Sequence, residues 1–116
     1  MSDAASNKPA ASMLYVTCGS VEQAHEIGRA VVEEQLAACA NIIDGMRSVY
    51  RWEGMVEEAN EVVLILKTRR GLIADLTARV KALHSFDVPC VVEIPLEQGN
   101  ADYFAWIADE TAGAGD

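Results

Sequence analysis

From Asn41 to Thr68 the chain carries two β-forming arms, each about a dozen residues long, on either side of Glu53-Gly54. Ser48, Tyr50 and Trp52 alternate with Val49 and Arg51, the period-two pattern of a strand. Gly54 tolerates the positive φ of a tight two-residue turn, so the segment predicts one long β-hairpin. The returning arm, Met55 to Thr68, changes character along its length. Val56 to Glu61 is largely polar, whereas Val62-Val63-Leu64-Ile65-Leu66 is continuously apolar. A continuous apolar run is the signature of a strand covered on both faces. One strand is therefore buried at one end and wet at the other. Long two-stranded arms rarely stand alone, and another copy of the chain is the obvious partner.

The flanking segments supply the rest of a fold. Leu14 to Cys18 reads as a short strand ended by Gly19. Ser20 with Gln23 forms a capping box for a helix running to about Ala38. Within that helix Ala24, Ile27, Val31 and Leu36 share an apolar arc, in which Gln35 is the one polar member. A second helix spans about Arg70 to His84, with Leu72, Ile73, Leu76, Val80 and Leu83 on one face. A turn from His84 to Pro89 leads to a strand, Cys90 to Leu96, which Pro95 assigns to a sheet edge. Asn100 caps a short last helix. The order is that of an α+β, ferredoxin-like βαββαβ sandwich with a long central β-hairpin and a short C-terminal helix. Right-handed crossovers predict that the first and third strands are parallel neighbours, with the third in the middle of the sheet.

At 116 residues the chain has room for one domain. Residues 1–12 read as a disordered leader, 13–110 as the domain and 111–116 as a flexible tail. The leader has no apolar stretch of the signal-peptide kind. Nine basic against eighteen acidic side chains give a net charge of -9. That charge repels phosphate backbones and anionic lipid, so neither nucleic acid nor membrane is an expected partner. Cys18, Cys39 and Cys90 are an odd set without metal-type spacing, which predicts free thiols and a cytoplasmic location. No nucleophile triad, paired-carboxylate or phosphate-loop signature occurs, so a non-enzymatic protein is expected.

Several stretches resemble the divalent-cation tolerance (CutA) family. They are Leu36-Ala37-Ala38-Cys39-Ala40-Asn41-Ile42, Ser48-Val49-Tyr50-Arg51-Trp52-Glu53-Gly54, Glu61-Val62 with Ile65-Leu66-Lys67-Thr68, the His84 to Pro89 turn, and Gly99-Asn100 with Tyr103 and Trp106. The resemblance covers about residues 14–110. It implies a homotrimer whose hairpins pair across subunits, and a response to metal ions with weak binding of copper(II) or another divalent cation. No organic cofactor is expected. The trimeric frame also resembles PII-like sensors, which implies an alternative: a small anionic metabolite held in clefts between subunits. A purely structural trimeric scaffold is a third reading. The family's copper site draws on a first-strand cysteine and on histidines at the turn after the second helix. Here Val16, Leu83 and Ser85 occupy family-site positions, and of that set only His84 carries over.

Five residues mark a candidate intersubunit cleft: Tyr50, Trp52, Glu61, Lys67 and His84. Trp52, at the hairpin tip, reads as trimer packing or as a cleft wall. Glu61 and Lys67 share a strand face, as a buried ion pair or as a ligand-facing pair. His84 either caps its helix, where the dipole favours a cation, or ligates a metal. Cys39 is either a small buried hydrophobe or a second metal ligand beside His84.

Overall fold

The computed structural model describes residues 11–114. Strand β1 (Ala11–Cys18) leads to helix α1 (Val21–Glu33), and β2 (Cys39–Trp52) and β3 (Met55–Arg69) form the long hairpin. A 3-10 turn (Arg70–Leu72) opens helix α2 (Ile73–Leu83), and β4 (Val91–Leu96) and α3 (Ala101–Glu110) complete the chain. The sheet order is β2-β3-β1-β4, which is the ferredoxin-like arrangement with β3 inside and β4 at an edge.

The expected parallel pairing of the first and third strands is corrected by the register. Leu14 faces Leu66 and Val16 faces Leu64 in an antiparallel pair. Each helix crossover skips one strand, so the strands it connects run in the same direction without touching. The strand inserted between them is antiparallel to both.

Alternation along β1 and β3 sorts the core. Leu14, Val16 and Cys18 with Val62, Leu64 and Leu66 form one face, packed on Ala24, Ile27 and Val31 of α1 and on Leu76 and Val80 of α2. The other face carries Met13, Tyr15 and Thr17 beside Val63, Ile65 and Lys67. Helix α3 lies over one end of that second face, where Ile107 is buried and Lys67 meets Tyr103.

The first helix is shorter than its apolar arc suggests. Glu34 caps it, and Gln35 adopts a positive φ of 61°. Gln35 N–H then donates to Val32 O and Leu36 N–H to Val31 O, the paired bonds of a Schellman stop. Leu36 thereby folds back onto the core instead of continuing the helix. At the N-terminus of α1 Ser20 Oγ accepts from Gln23 N–H as expected, but the side-chain Oε1 of Gln23 accepts from Ser85 N–H. The capping box is thus half formed, because its outer member is used to hold the turn after α2.

Both terminal boundaries also shift. Ala11 and Ser12, expected within the disordered segment 1–12, already belong to β1 and are buried, Ser12 Oγ donating to Glu93 at 2.6 Å. Residues 1–10 lie outside the described residues. The expected tail, 111–116, is tied down in its described part. Thr111 and Ala114 are buried, and the Arg69 guanidinium donates to Thr111 Oγ1, Thr111 O and Ala114 O.

At the hairpin tip Glu53 and Gly54 have φ of 51° and 82°, both positive, as in a type I′ turn. Glutamate is a poor occupant of that conformation. Glu53→Asn is therefore expected to stabilise the protein by about 0.5–1 kcal/mol, read as a rise in thermal midpoint.

Cys18 is fully buried, and burial with the nearby Glu61 charge pushes its thiol from 9.0 up to about 11. Cys39 is half-buried and Cys90 exposed. Thiol-specific labelling of the native protein should modify Cys90 first and Cys18 only after unfolding. Above pH 9.0 the unfolded chain releases the Cys18 proton while the folded chain keeps it, so stability should fall as pH rises through that range.

Candidate functional site

The candidate residues are strung along the molecule. β1 pairs with β3 only as far as Val62, opposite Cys18. Beyond that point the hairpin leaves the sheet and runs on to Trp52 and Met55 as a free arm. A bulge marks the departure: Ile43 faces Val63 and Met46 faces Glu61, so Asp44 and Gly45 together oppose Val62. The extra residue preserves the alternation, and Met46, Ser48, Tyr50 and Trp52 continue the face that carries Ile43.

Glu61 and Lys67 do lie on one face, as the spacing requires. Six residues of strand hold them about 20 Å apart, so they form no ion pair within the chain. Lys67 Nζ instead donates to Tyr103 Oη at 3.2 Å and sits 5.4 Å from the centre of that ring. Tyr103 in turn stacks on Trp106 at 5.5 Å. Tyr50 pairs with Glu57 and Trp52 with Met55 at the far end of the arm. One subunit therefore does not gather the five candidate cleft residues around a common space.

His84 caps α2, its N–H donating to Val80 O. The ring is buried, with its centre 4.8 Å from that of Phe86. Phe86 N–H donates to Nδ1 at 3.1 Å. Nε2 must then carry the proton, which it donates to Thr17 O at 2.8 Å. Both nitrogens are engaged, so a metal could use His84 only by displacing one of these bonds. Cys39 faces Lys67, which faces Met13, four residues along β1 from Thr17. That offset alone is about 13 Å, and β3 lies between. Cys39 Sγ contacts Asn41 Oδ1 at 3.5 Å. Its half-buried position fits neither a sealed core thiol nor a partner for His84 within the chain. Cys90 comes nearer to the histidine through the backbone, since its carbonyl accepts from Thr17 N–H at 3.3 Å. Among the described residues no group of three His, Cys, Asp or Glu side chains is placed to hold a metal ion.

Sequence reasoning singled out His84 but not Thr17 or Phe86, and gave Gln23 only a capping role, although all three fix the turn that follows the histidine. The Gln23 spacing pointed to a cap, and nothing in the pattern of Thr17 or Phe86 marks them as hydrogen-bond partners of a residue so distant in sequence.

The second sheet face and the arm, although the arm is rich in charged residues, expose several large apolar side chains. Ile43, Val92 and Ile94 are between 40% and 53% exposed on the sheet, and Val49, Met55 and Val56 between 64% and 68% on the arm. Trp52, Tyr103 and Trp106 add exposed aromatic area. The register puts Ile43, Trp52 and Met55 on the second face and Val49 and Val56 on the opposite side of the arm, so apolar side chains are exposed on both sides of the arm, as at an interaction surface.

Comparison with known proteins agrees with these features. The human protein named Protein CutA is 42% identical over 105 residues, which are 90% of this chain and 59% of the human one. The chain thus spans under two thirds of that relative's length. A divalent-cation tolerance protein CutA of Thermus thermophilus is 43% identical over 99 residues, 85% of this chain and 96% of its own. A solved structure titled as the periplasmic divalent cation tolerance protein CutA from Archaeoglobus fulgidus superposes with a TM-score of 0.84 at 38% identity, covering 87% of this chain and 98% of that one. The profile of the family described as CutA1 divalent ion tolerance protein matches residues 12–110, and the chain belongs to that family.

Proposed function

We propose that the protein acts as a non-enzymatic, homotrimeric divalent-cation tolerance protein in a reducing, cytoplasmic setting. The observation that carries self-association is the set of large apolar side chains exposed on the second sheet face and on both sides of the arm. An arm that leaves the sheet after Val62 presents unpaired strand edges together with Val49, Trp52, Met55 and Val56. A neighbouring subunit would satisfy both the edges and the apolar side chains. The number three rests on the family resemblance. The reducing setting is supported by three free cysteines.

The cation response does not require a built site inside one chain. Eighteen acidic side chains attract divalent cations weakly over the surface. His84 is a poor ligand in this arrangement because its lone pair at Nδ1 accepts from Phe86 N–H. Its role is to lock β1 to the turn after α2.

Size-exclusion chromatography with light scattering should give three times the 12.5 kDa chain mass. The double substitution Val49→Asp, Trp52→Asp should shift that mass toward the monomer while Glu58→Gln leaves it unchanged. A monomeric wild type would remove the reading.

Calorimetric titration of copper(II) tests the metal part. His84→Ala should cost about 1–3 kcal/mol of stability through its two lost hydrogen bonds, yet leave the copper isotherm unaltered. Loss of copper binding in that variant would mean instead that the turn opens and frees the ring for ligation.

A further inference from the structure

We propose that Asp44-Gly45 is a site of spontaneous covalent modification, at which the backbone cyclises to a succinimide and reopens as isoaspartate. Three observations at the root of the arm meet there. Gly45 N–H donates to Asp44 Oδ1 at 2.7 Å, so the amide nitrogen lies beside the carboxyl group of the preceding residue with its N–H directed at it. The nitrogen is thus held next to the carboxyl group whose carbon, one bond from Oδ1, it must attack once deprotonated. Gly45 also has φ of 91°, has no side chain of its own to crowd its nitrogen, and apart from its chain neighbours has nothing within 4 Å of the position a Cβ would take. Finally, the dipeptide is the β-bulge of β2, exposed to solvent, where the extra residue is left unpaired by the ladder.

The step balances without a co-reactant other than water. The Gly45 nitrogen bonds to Asp44 Cγ, its proton and the carboxyl hydroxyl leave as water, and a five-membered imide results. Water then adds to either imide carbonyl. Opening at the side-chain carbonyl restores aspartate. Opening at the main-chain carbonyl leaves the peptide running through Cγ, with a free carboxylate on Cα. No oxidation or reduction occurs. The isoaspartyl product carries one extra main-chain methylene at the point where the residue count of the bulge sets the register of the arm. Its exposed carboxylate is the chemical class that repair enzymes acting by carboxyl methylation recognise.

Other acidic positions lack the combination. Asp75, Asp87 and Asp102 precede Leu76, Val88 and Tyr103, whose side chains crowd the amide. Glu53 precedes Gly54, but a glutamate would have to close a six-membered ring.

The test is prolonged incubation of the full-length native protein at physiological temperature and pH, with circular dichroism confirming that it stays folded. Isoaspartate is then located by electron-transfer fragmentation of proteolytic peptides and by enzymatic methylation of the isoaspartyl carboxyl. It should accumulate at position 44 about tenfold or more above any other aspartate, reflecting the held geometry of the attacking nitrogen. Asp44→Glu should abolish the signal, and Asp44→Asn, with ammonia as the leaving group, should accelerate it. Both substitutions are at an exposed position outside the core. Isoaspartate at position 44 no higher than at Asp87 or Asp102, or formed only under conditions that unfold the chain, would overturn the proposal. Neither outcome depends on metal binding.

Discussion

The double pairing of β3 is the constraint on which the rest of the molecule depends. Over Val62 to Arg69 it is hydrogen-bonded to β1 on one side, and to β2 along much of the other. A strand so placed has its backbone groups paired along both edges. Leu64 and Leu66 accordingly anchor the main core, while Val63 and Ile65 contribute to the second face. Thr68, at the end of the same run, donates from its buried hydroxyl to Leu36 O at 2.7 Å and so ties the turn after α1 to the sheet. Arg69, one residue further, holds the end of α3. Helix stops, strand partners and the C-terminal turn are all referred to this strand.

The same strand divides the hairpin into two materials. Where β1 ends at Cys18, β3 loses one neighbour, and its sequence turns polar within one residue, at Glu61. The bulge at Asp44-Gly45 lies opposite that boundary, allowing the arm to diverge while keeping its alternation in phase. An arm built this way exposes Val49, Trp52, Met55 and Val56. Burying them against another copy is a simpler physical solution than solvating them. His84 has the opposite character: every polar atom of its ring is used inside the chain, at the junction of β1, α2 and the turn to β4.

Much of the fold was legible because its signals are periodic and local. The alternation around Tyr50 and Trp52, the continuous run Val62–Leu66 and the apolar arc of α1 correspond to elements found in the structure. Pro95 marked an edge strand, and Asn100 a cap whose Oδ1 accepts from Asp102 N–H. The errors fell where a local signal is weak or has two uses. A Schellman stop usually advertises itself by glycine, and here glutamine fills the left-handed position. Gln23 has the spacing of a capping box, but a distant amide, Ser85 N–H, takes its side chain. The strand directions were misjudged because crossover handedness relates the two strands a helix joins, not the strand inserted between them. The candidate site was least legible, since sharing a strand face does not reveal which distant groups, such as Tyr103 beside Lys67, arrive next to a side chain.

Residue order and type alone thus determined the element types, the core-facing positions, the acidic charge and the family to which the chain belongs. These follow from side-chain chemistry read at the periods of helix and strand. Only the tertiary structure decided that β3 runs antiparallel to β1, that Lys67 meets Tyr103, and that His84 spends both nitrogens within the chain. Those outcomes depend on which distant backbone atoms arrive beside a side chain, and hydrogen bonds to Thr17 O and Phe86 N–H leave no trace in the spacing of apolar residues.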